Sequence, residues 1–261
     1  MPIDWTQAVA AVWRPRSAGL REVRRLDPIR LDDLLGIAAQ KAELVRNTED
    51  FLAGRPARNA LLWGSRGTGK SSLIKALLND YAGAGLRVIE IDKADLADLP
   101  EVVDDVRDLP QRFIVFCDDL SFEADETLYK HLKSVLEGSI ELPPENVLVY
   151  ATSNRRHLIA EPTSDNQGVE IVAGELHYGD VIEEKLSLAD RFGLWLSFYP
   201  NSLEQYLAIV DHLCADAGGD RPALHLAARQ FAMTRASRSG RTARQFSHAW
   251  RNRSTPASSL L

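Results

Sequence analysis

The stretch "LLWGSRGTGKSS", Leu61 to Ser72, decides how the rest of the chain is read. A short apolar run ends at Gly64, and Gly67, Thr68, Gly69, Lys70 and Ser71 follow in the spacing G-x-x-x-x-G-K-[ST]. That spacing is a phosphate cradle when a strand precedes it and a helix follows it. Backbone N–H groups then point at a phosphate, and the helix N-terminus adds positive potential. Both flanks meet the requirement. "ALLWG" (60–64) is too short for a helix, and "SSLIKALLNDYAGAG" (71–85) has helical period. Gly64, Gly67, Thr68, Gly69, Lys70, Ser71 and Ser72 are therefore expected to hold the phosphates of ATP. Lys70 would reach the β- and γ-phosphates, and the Ser71 hydroxyl would hold Mg²⁺.

Outward from the cradle the pattern alternates. "RVIEID" (87–92), "FIVFCD" (113–118), "VLVYATS" (147–153) and "LWLSFYP" (194–200) read as strands. "DETLYKHLKSVLEG" (125–138) reads as an amphipathic helix. Nearly continuous apolar strands separated by helices indicate a parallel sheet covered on both faces. The expected fold is a three-layer αβα sandwich with a five-stranded parallel sheet. After Pro200 the strand signals stop, and helices at 202–217, 222–236 and 240–252 are consistent with a small all-helical domain. The organisation expected is a helical arm over 1–30, an α/β core over 31–201, a lid over 202–255 and a frayed tail over 256–261. The glycine-dotted stretch 161–180 reads as a hairpin insertion or a mobile loop.

Composition bounds the function. The 261 residues are 45% hydrophobic and 26% charged, as in an ordinary soluble globular protein. No apolar run has the length of a bilayer span, and "MPIDWTQ" lacks the basic-then-apolar pattern of a signal peptide. Cys117 and Cys214 have neither disulfide-framework nor metal-ligand spacing and read as buried residues of a cytoplasmic protein. The net charge of −6 is unevenly spread. Eight arginines and no acid lie between Arg221 and Arg253, whereas Asp92 to Asp108 holds seven acids. Spaced cations of this kind make nucleic-acid contact through the lid one reading, although no aromatic base platform accompanies them.

The strand "FIVFCDDL" ends in paired acids. Asp118 at the strand end would orient Mg²⁺, and Asp119 would point toward the attacking water. With these phrases in place, the chain resembles an AAA+ ATPase. More narrowly it resembles a bacterial ATP-binding group catalogued only as a domain of unknown function. "LLWGSRGTGKSSLIKAL", "FIVFCDDLSFE", "VLVYATSNRRHL", "EEKLSLADRFGLWLSFYP" and "SGRTARQF" carry the resemblance, across Leu31 to Arg253.

The resemblance implies further roles. Asn154 would be the polar sensor of the γ-phosphate, since an amide both donates and accepts. Arg191 would enter the ATP site of a neighbouring copy, which implies a homo-oligomer. Arg244 would be the lid arginine on the γ-phosphate, with Arg241 its near rival. "LLGI" (34–37) would lie beside the adenine. The expected activity is hydrolysis of ATP to ADP and phosphate, driving conformational change on an unknown protein client. The alternatives are a non-hydrolysing ATP-binding loader or adaptor acting on DNA machinery, and a small-molecule kinase. Two departures stand out. The family's second acid is usually Glu, one methylene longer than Asp119, with Glu123 as a substitute base. "DKADLADLPE" lacks the aromatic residue with which unfoldases of the superfamily grip polypeptide.

Overall fold

A computed structural model describes residues 3–17, 19–121, 132, 136, 142–154, 169–172, 175–178, 191–217 and 220–254. Glu123, Asp190, the tail from 256, most of the 125–138 helix and parts of the 161–180 stretch lie outside the described residues.

All five expected parallel strands are present. They are β3 (Ala60–Gly64), β4 (Leu86–Ile91), β5 (Arg112–Cys117), β6 (Val147–Ser153) and β9 (Leu194–Phe198). Two further strands come from the N-terminal region, where a helical arm was the expectation. There β1 (Ala10–Arg14) and β2 (Gly19–Glu22) form an antiparallel hairpin, and β1 runs parallel to β4. The sheet is thus seven-stranded, in the order β2-β1-β4-β5-β6-β3-β9. The strand wins over the helix because β1 is buried on both faces. Ala11 and Trp13 pack into one layer and Ala10 into the other. The Trp13 indole donates to Asp98 Oδ2 at 2.9 Å, and Trp5 meets Phe113 edge-on at 4.9 Å between ring centres. Within 161–180, β7 (Val169–Val172) and β8 (Glu175–Tyr178) pair antiparallel, so a hairpin stands there.

Alternate strand residues feed opposite layers, as a pleated backbone requires. Leu61, Ile89, Val115 and Val149 pack with Val102 and Val103 of α3 (Leu99–Asp104). Leu62, Val88, Ile114 and Tyr150 pack with Leu44 and Phe51 of α1 (Ala38–Leu52) and with Leu73, Ile74 and Leu77 of α2 (Lys70–Tyr81). Cys117 is buried in the first layer with its thiol free, and burial pushes its pKa up to about 12.

The lid is α4 (Leu203–Leu213), α5 (Arg221–Thr234) and α6 (Gly240–Ser254). A capping box starts α4: Ser202 Oγ accepts from the Gln205 amide and Gln205 Oε1 accepts from the Ser202 amide. Tyr206, Ile209, Val210, Ala228, Ala243 and Phe246 form the lid's own core, and Leu35 packs on it from the α/β side. Among the described residues no helix is long and apolar enough to cross a membrane.

Candidate functional site

The loop between β3 and α2 opens where the sheet forces it to turn. The Ser65 amide donates to the Phe198 carbonyl at 3.0 Å. A Cβ at Gly64, whose φ is +128°, would sit 2.0 Å from that same oxygen. Only glycine fits, so the loop leaves the sheet pressed against the end of β9. Gly67, at φ +76°, is equally constrained from the lid side, because a Cβ there would lie 2.8 Å from Ser239 Oγ. The Arg241 amide points at the Gly67 carbonyl at 3.4 Å. The cradle is therefore a seam between core and lid.

Lys70 is buried at the start of α2. Its ammonium donates to the carbonyls of Gly64 and Ser65, both at 2.8 Å, and to Asn154 Oδ1 at 3.0 Å. Burial pulls its pKa down from 10.5 to about 8. Asp118 and Asp119 oppose that pull, while Arg241 and Arg66 add to it.

The ends of β5 and β6 supply the acids. Asp118 Oδ1 accepts from Ser71 Oγ at 2.6 Å and from Thr152 Oγ1 at 2.5 Å. Thr152 Oγ1 in turn accepts from the Asp119 amide at 3.0 Å. Asp119 holds a left-handed backbone, φ +54°, and its Oδ1 accepts from Asn154 Nδ2 at 2.6 Å.

These groups share one cavity of about 540 Å³ between core and lid. Its polar lining includes residues 66–72, Asp33, Asp118, Asp119, Thr152, Asn154, Asn201, Arg241 and Arg244. Its apolar lining comes from Leu34, Leu35 and Ile37 of the LLGI segment, joined by Ile29 and by Ile209 and Leu213 of the lid. Apolar side chains suit a flat heteroaromatic base, and the loop with its cations suits a polyphosphate. Ser71 and Asp118 offer adjacent hard oxygens, the donor type Mg²⁺ takes alongside substrate phosphates. Among the described residues no group of three or more His, Cys, Asp or Glu could hold a metal alone. A divalent ion fits here as a companion of the nucleotide.

Gly67, Thr68, Gly69, Lys70, Ser71, Ser72, Asp118, Asp119, Asn154 and Arg244 line this cavity, and Gly64 opens its loop; Gly36 and Arg191 do not line it. Arg191 stands apart, before the first residue of β9, while the loop meets β9 at its last residue. The first and last residues of that strand are four rises of about 3.3 Å apart, about 13 Å. Sequence reasoning missed Thr152, Arg66, Ile209 and Leu213. Only Thr152 left a signal, as a polar residue two places before Asn154 and hence on the same side of an apolar strand.

The lid arginines divide by task. Arg241 and Arg244 line the cavity. Arg221 pairs with Asp211, and Arg251 donates to the Leu213 carbonyl at 2.6 Å. Arg229, Arg235 and Arg238 are exposed.

The glycine-rich loop, the paired acids, the Asn154 amide and the helical lid, carried on this sheet order, make the fold that of an AAA+ P-loop protein. The family described as "Protein of unknown function (DUF815)" matches residues 6–254, and the chain belongs to it. Among solved structures it is similar to the RuvB Holliday junction branch migration motor of Thermotoga maritima. That likeness has 16% identity and a TM-score of 0.53, covering 85% of this chain and 63% of that one. The FIGL-1 AAA domain in complex with ADP is similar at 18% identity and a TM-score of 0.56, covering 85% of this chain and 72% of that one. At these identities the likeness is one of fold. A stretch of 69 residues is 33% identical to the replication factor C large subunit of Staphylothermus marinus. It spans 26% of this chain and 16% of that protein. The chain thus covers only a small part of the curated relative and less than two thirds of the RuvB chain.

Proposed function

We propose that this chain is a Mg-ATP-dependent AAA+ ATPase whose complete active site is shared between copies. The observation that carries the reading is the convergence of Lys70, Ser71, Asp118, Asp119, Asn154, Arg241 and Arg244 on one cavity that also has apolar lining. The loop amides and Lys70 bind the β- and γ-phosphates. Ser71 and Asp118 hold Mg²⁺, which when bound neutralises charge on the phosphate oxygens. Asp119 accepts the proton of the attacking water, and Asn154 orients that water. Catalysis is then positioning plus electrostatic stabilisation of the γ-phosphoryl, giving ADP and phosphate.

Arg241 is the lid arginine nearest this chemistry, since its charge acts on Lys70 and its amide faces the cradle. Arg244, favoured by the sequence, lines the same cavity, and in this reading takes the lesser part. Arg191 is not among the residues that line the cavity of its own chain, and in this reading it serves a neighbour's. Phosphate release from Mg-ATP across a protein concentration series, with size followed by light scattering, tests the reading. Specific activity should rise as the protein assembles. Flat activity per chain from a monomer would defeat the shared site.

A second reading is an ATP-binding loader or adaptor acting on DNA machinery. The exposed Arg229, Arg235 and Arg238 favour it, as does the similarity to replication factor C. Three outward cations make a small electrostatic footprint. This reading predicts tight ATP binding without phosphate release until DNA is added.

A further inference from the structure

We propose that Thr152 is a positioning residue that sets both acids of the site; the inference rests on the ATP-site reading above. Thr152 lies at the penultimate position of β6 with 2% of its surface exposed. It touches three consecutive residues of the turn after β5. Its hydroxyl donates to Asp118 Oδ1 at 2.5 Å and accepts from the Asp119 amide at 3.0 Å. Its carbonyl accepts from the Leu120 amide at 2.6 Å.

A threonine hydroxyl has one hydrogen, and here Asp118 takes it. Asp118 Oδ1 is then fully engaged, by Thr152 at 2.5 Å, by Ser71 at 2.6 Å and by the Asp119 amide at 3.2 Å. That leaves Oδ2 to meet a hydrated cation. Ser71, having given its hydrogen to the same oxygen, keeps its lone pairs for the metal. The hydroxyl of Thr152 therefore decides which edge of Asp118 faces the phosphates, as groups behind a metal ligand do elsewhere.

The same hydroxyl anchors Asp119. Asp119 has a left-handed backbone at φ +54°, which costs an aspartate less than most residues but still needs a local partner to hold it. The bond from the Asp119 amide to Thr152 supplies that restraint and aims the carboxylate at Asn154. Valine at 152 would keep the volume and the main-chain bond to Leu120 but lose both hydroxyl bonds.

The test compares Thr152→Val, Thr152→Ser and the unaltered full chain, using fluorescent ADP as probe with Mg²⁺ titrated from an EDTA-treated start. In Thr152→Val the Mg²⁺ concentration giving half the metal-dependent change should rise about tenfold. Its affinity for the probe in EDTA should stay within about twofold of the unaltered chain, because the cradle is intact. Thr152→Ser should restore the original Mg²⁺ dependence. An unchanged Mg²⁺ requirement in Thr152→Val overturns the proposal, and so does a serine variant as defective as the valine one. Should the valine variant fail to fold, Thr152→Cys, of similar size and a poor donor, takes its place with the same expectation. Failure of the unaltered chain to bind the probe at all removes the ATP-site reading itself, an outcome distinct from either of these.

Discussion

The side-chain nitrogen of Asn154 lies 2.6 Å from Oδ1 of Asp119. The oxygen of the same amide receives the Lys70 ammonium at 3.0 Å. One amide thus joins the cation of the cradle to the second acid, Asp119. A γ-phosphate competing for Lys70 would loosen the first bond and free the amide to turn. Asn154→Ala should leave ATP affinity within about threefold and lower turnover by about 10²-fold, the usual cost of one preorganised donor. Equilibrium binding and single-turnover phosphate release would check this. Turnover unchanged in Asn154→Ala would make the amide a structural tie only.

How much of this was legible beforehand depended on whether the signal was local. Gly64 to Ser71 is contiguous, and its chemistry follows from spacing alone. The five parallel strands are continuous apolar runs, so they too declare themselves. Ala10–Arg14 does not, because its five residues sit among arginines and its partner β4 lies more than seventy residues away in sequence. A strand whose burial comes from so distant a partner leaves almost no period to read. Thr152 was hidden for a related reason. Its role exists only where the ends of β5 and β6 meet. The lid arginines look alike in sequence, yet Arg221 and Arg251 brace the lid itself while Arg241 and Arg244 turn to the cavity.

Lys70 predicts a pH dependence with a definite sign. In the empty protein its pKa is lowered to about 8, chiefly by burial. Bound polyphosphate favours the protonated form and raises that pKa. ATP affinity should therefore be full below pH 8 and fall by up to about tenfold per pH unit above it. Calorimetry at pH 8.5 in buffers of different ionisation enthalpy should detect proton uptake on binding. The stability of the empty protein moves the other way. Between about 8 and 10.5 the unfolded chain holds the Lys70 proton and the folded chain does not, so this group's contribution to stability rises with pH. Lys70→Ala should abolish ATP binding; a flat affinity from pH 7 to 9.5 in the unaltered chain would contradict the assignment.

Arg241 and Arg244 separate by the same observable. Arg241 is among the charges that push the Lys70 proton off. Removing it in Arg241→Ala should move the midpoint of the affinity–pH curve upward and lower turnover by about 10²-fold. Arg244→Ala should leave that midpoint in place and change turnover by less than about tenfold. Steady-state kinetics and the binding series above would read both effects. If Arg244→Ala shifts the midpoint and Arg241→Ala does not, the two arginines exchange roles.

Arg191 tests the shared site most directly. It precedes β9 at the end opposite the cradle and does not line the cavity of its own chain. Arg191→Ala should bind ATP normally and lose turnover by 10³-fold or more, on the order seen where such a cation acts in trans. Lys70→Ala should be inactive for the other reason, an empty cradle. Mixing the two inactive proteins pairs an intact cradle on one copy with an intact arginine on the next. Turnover should reappear in the mixture, rising with the total concentration and highest near equal proportions. Recovery would require that the cradle and the arginine of one working site come from different chains. If the mixture assembles by light scattering yet stays inactive at every ratio, Arg191 acts within its own fold, and the cation for the γ-phosphoryl must be sought among Arg66, Arg241 and Arg244.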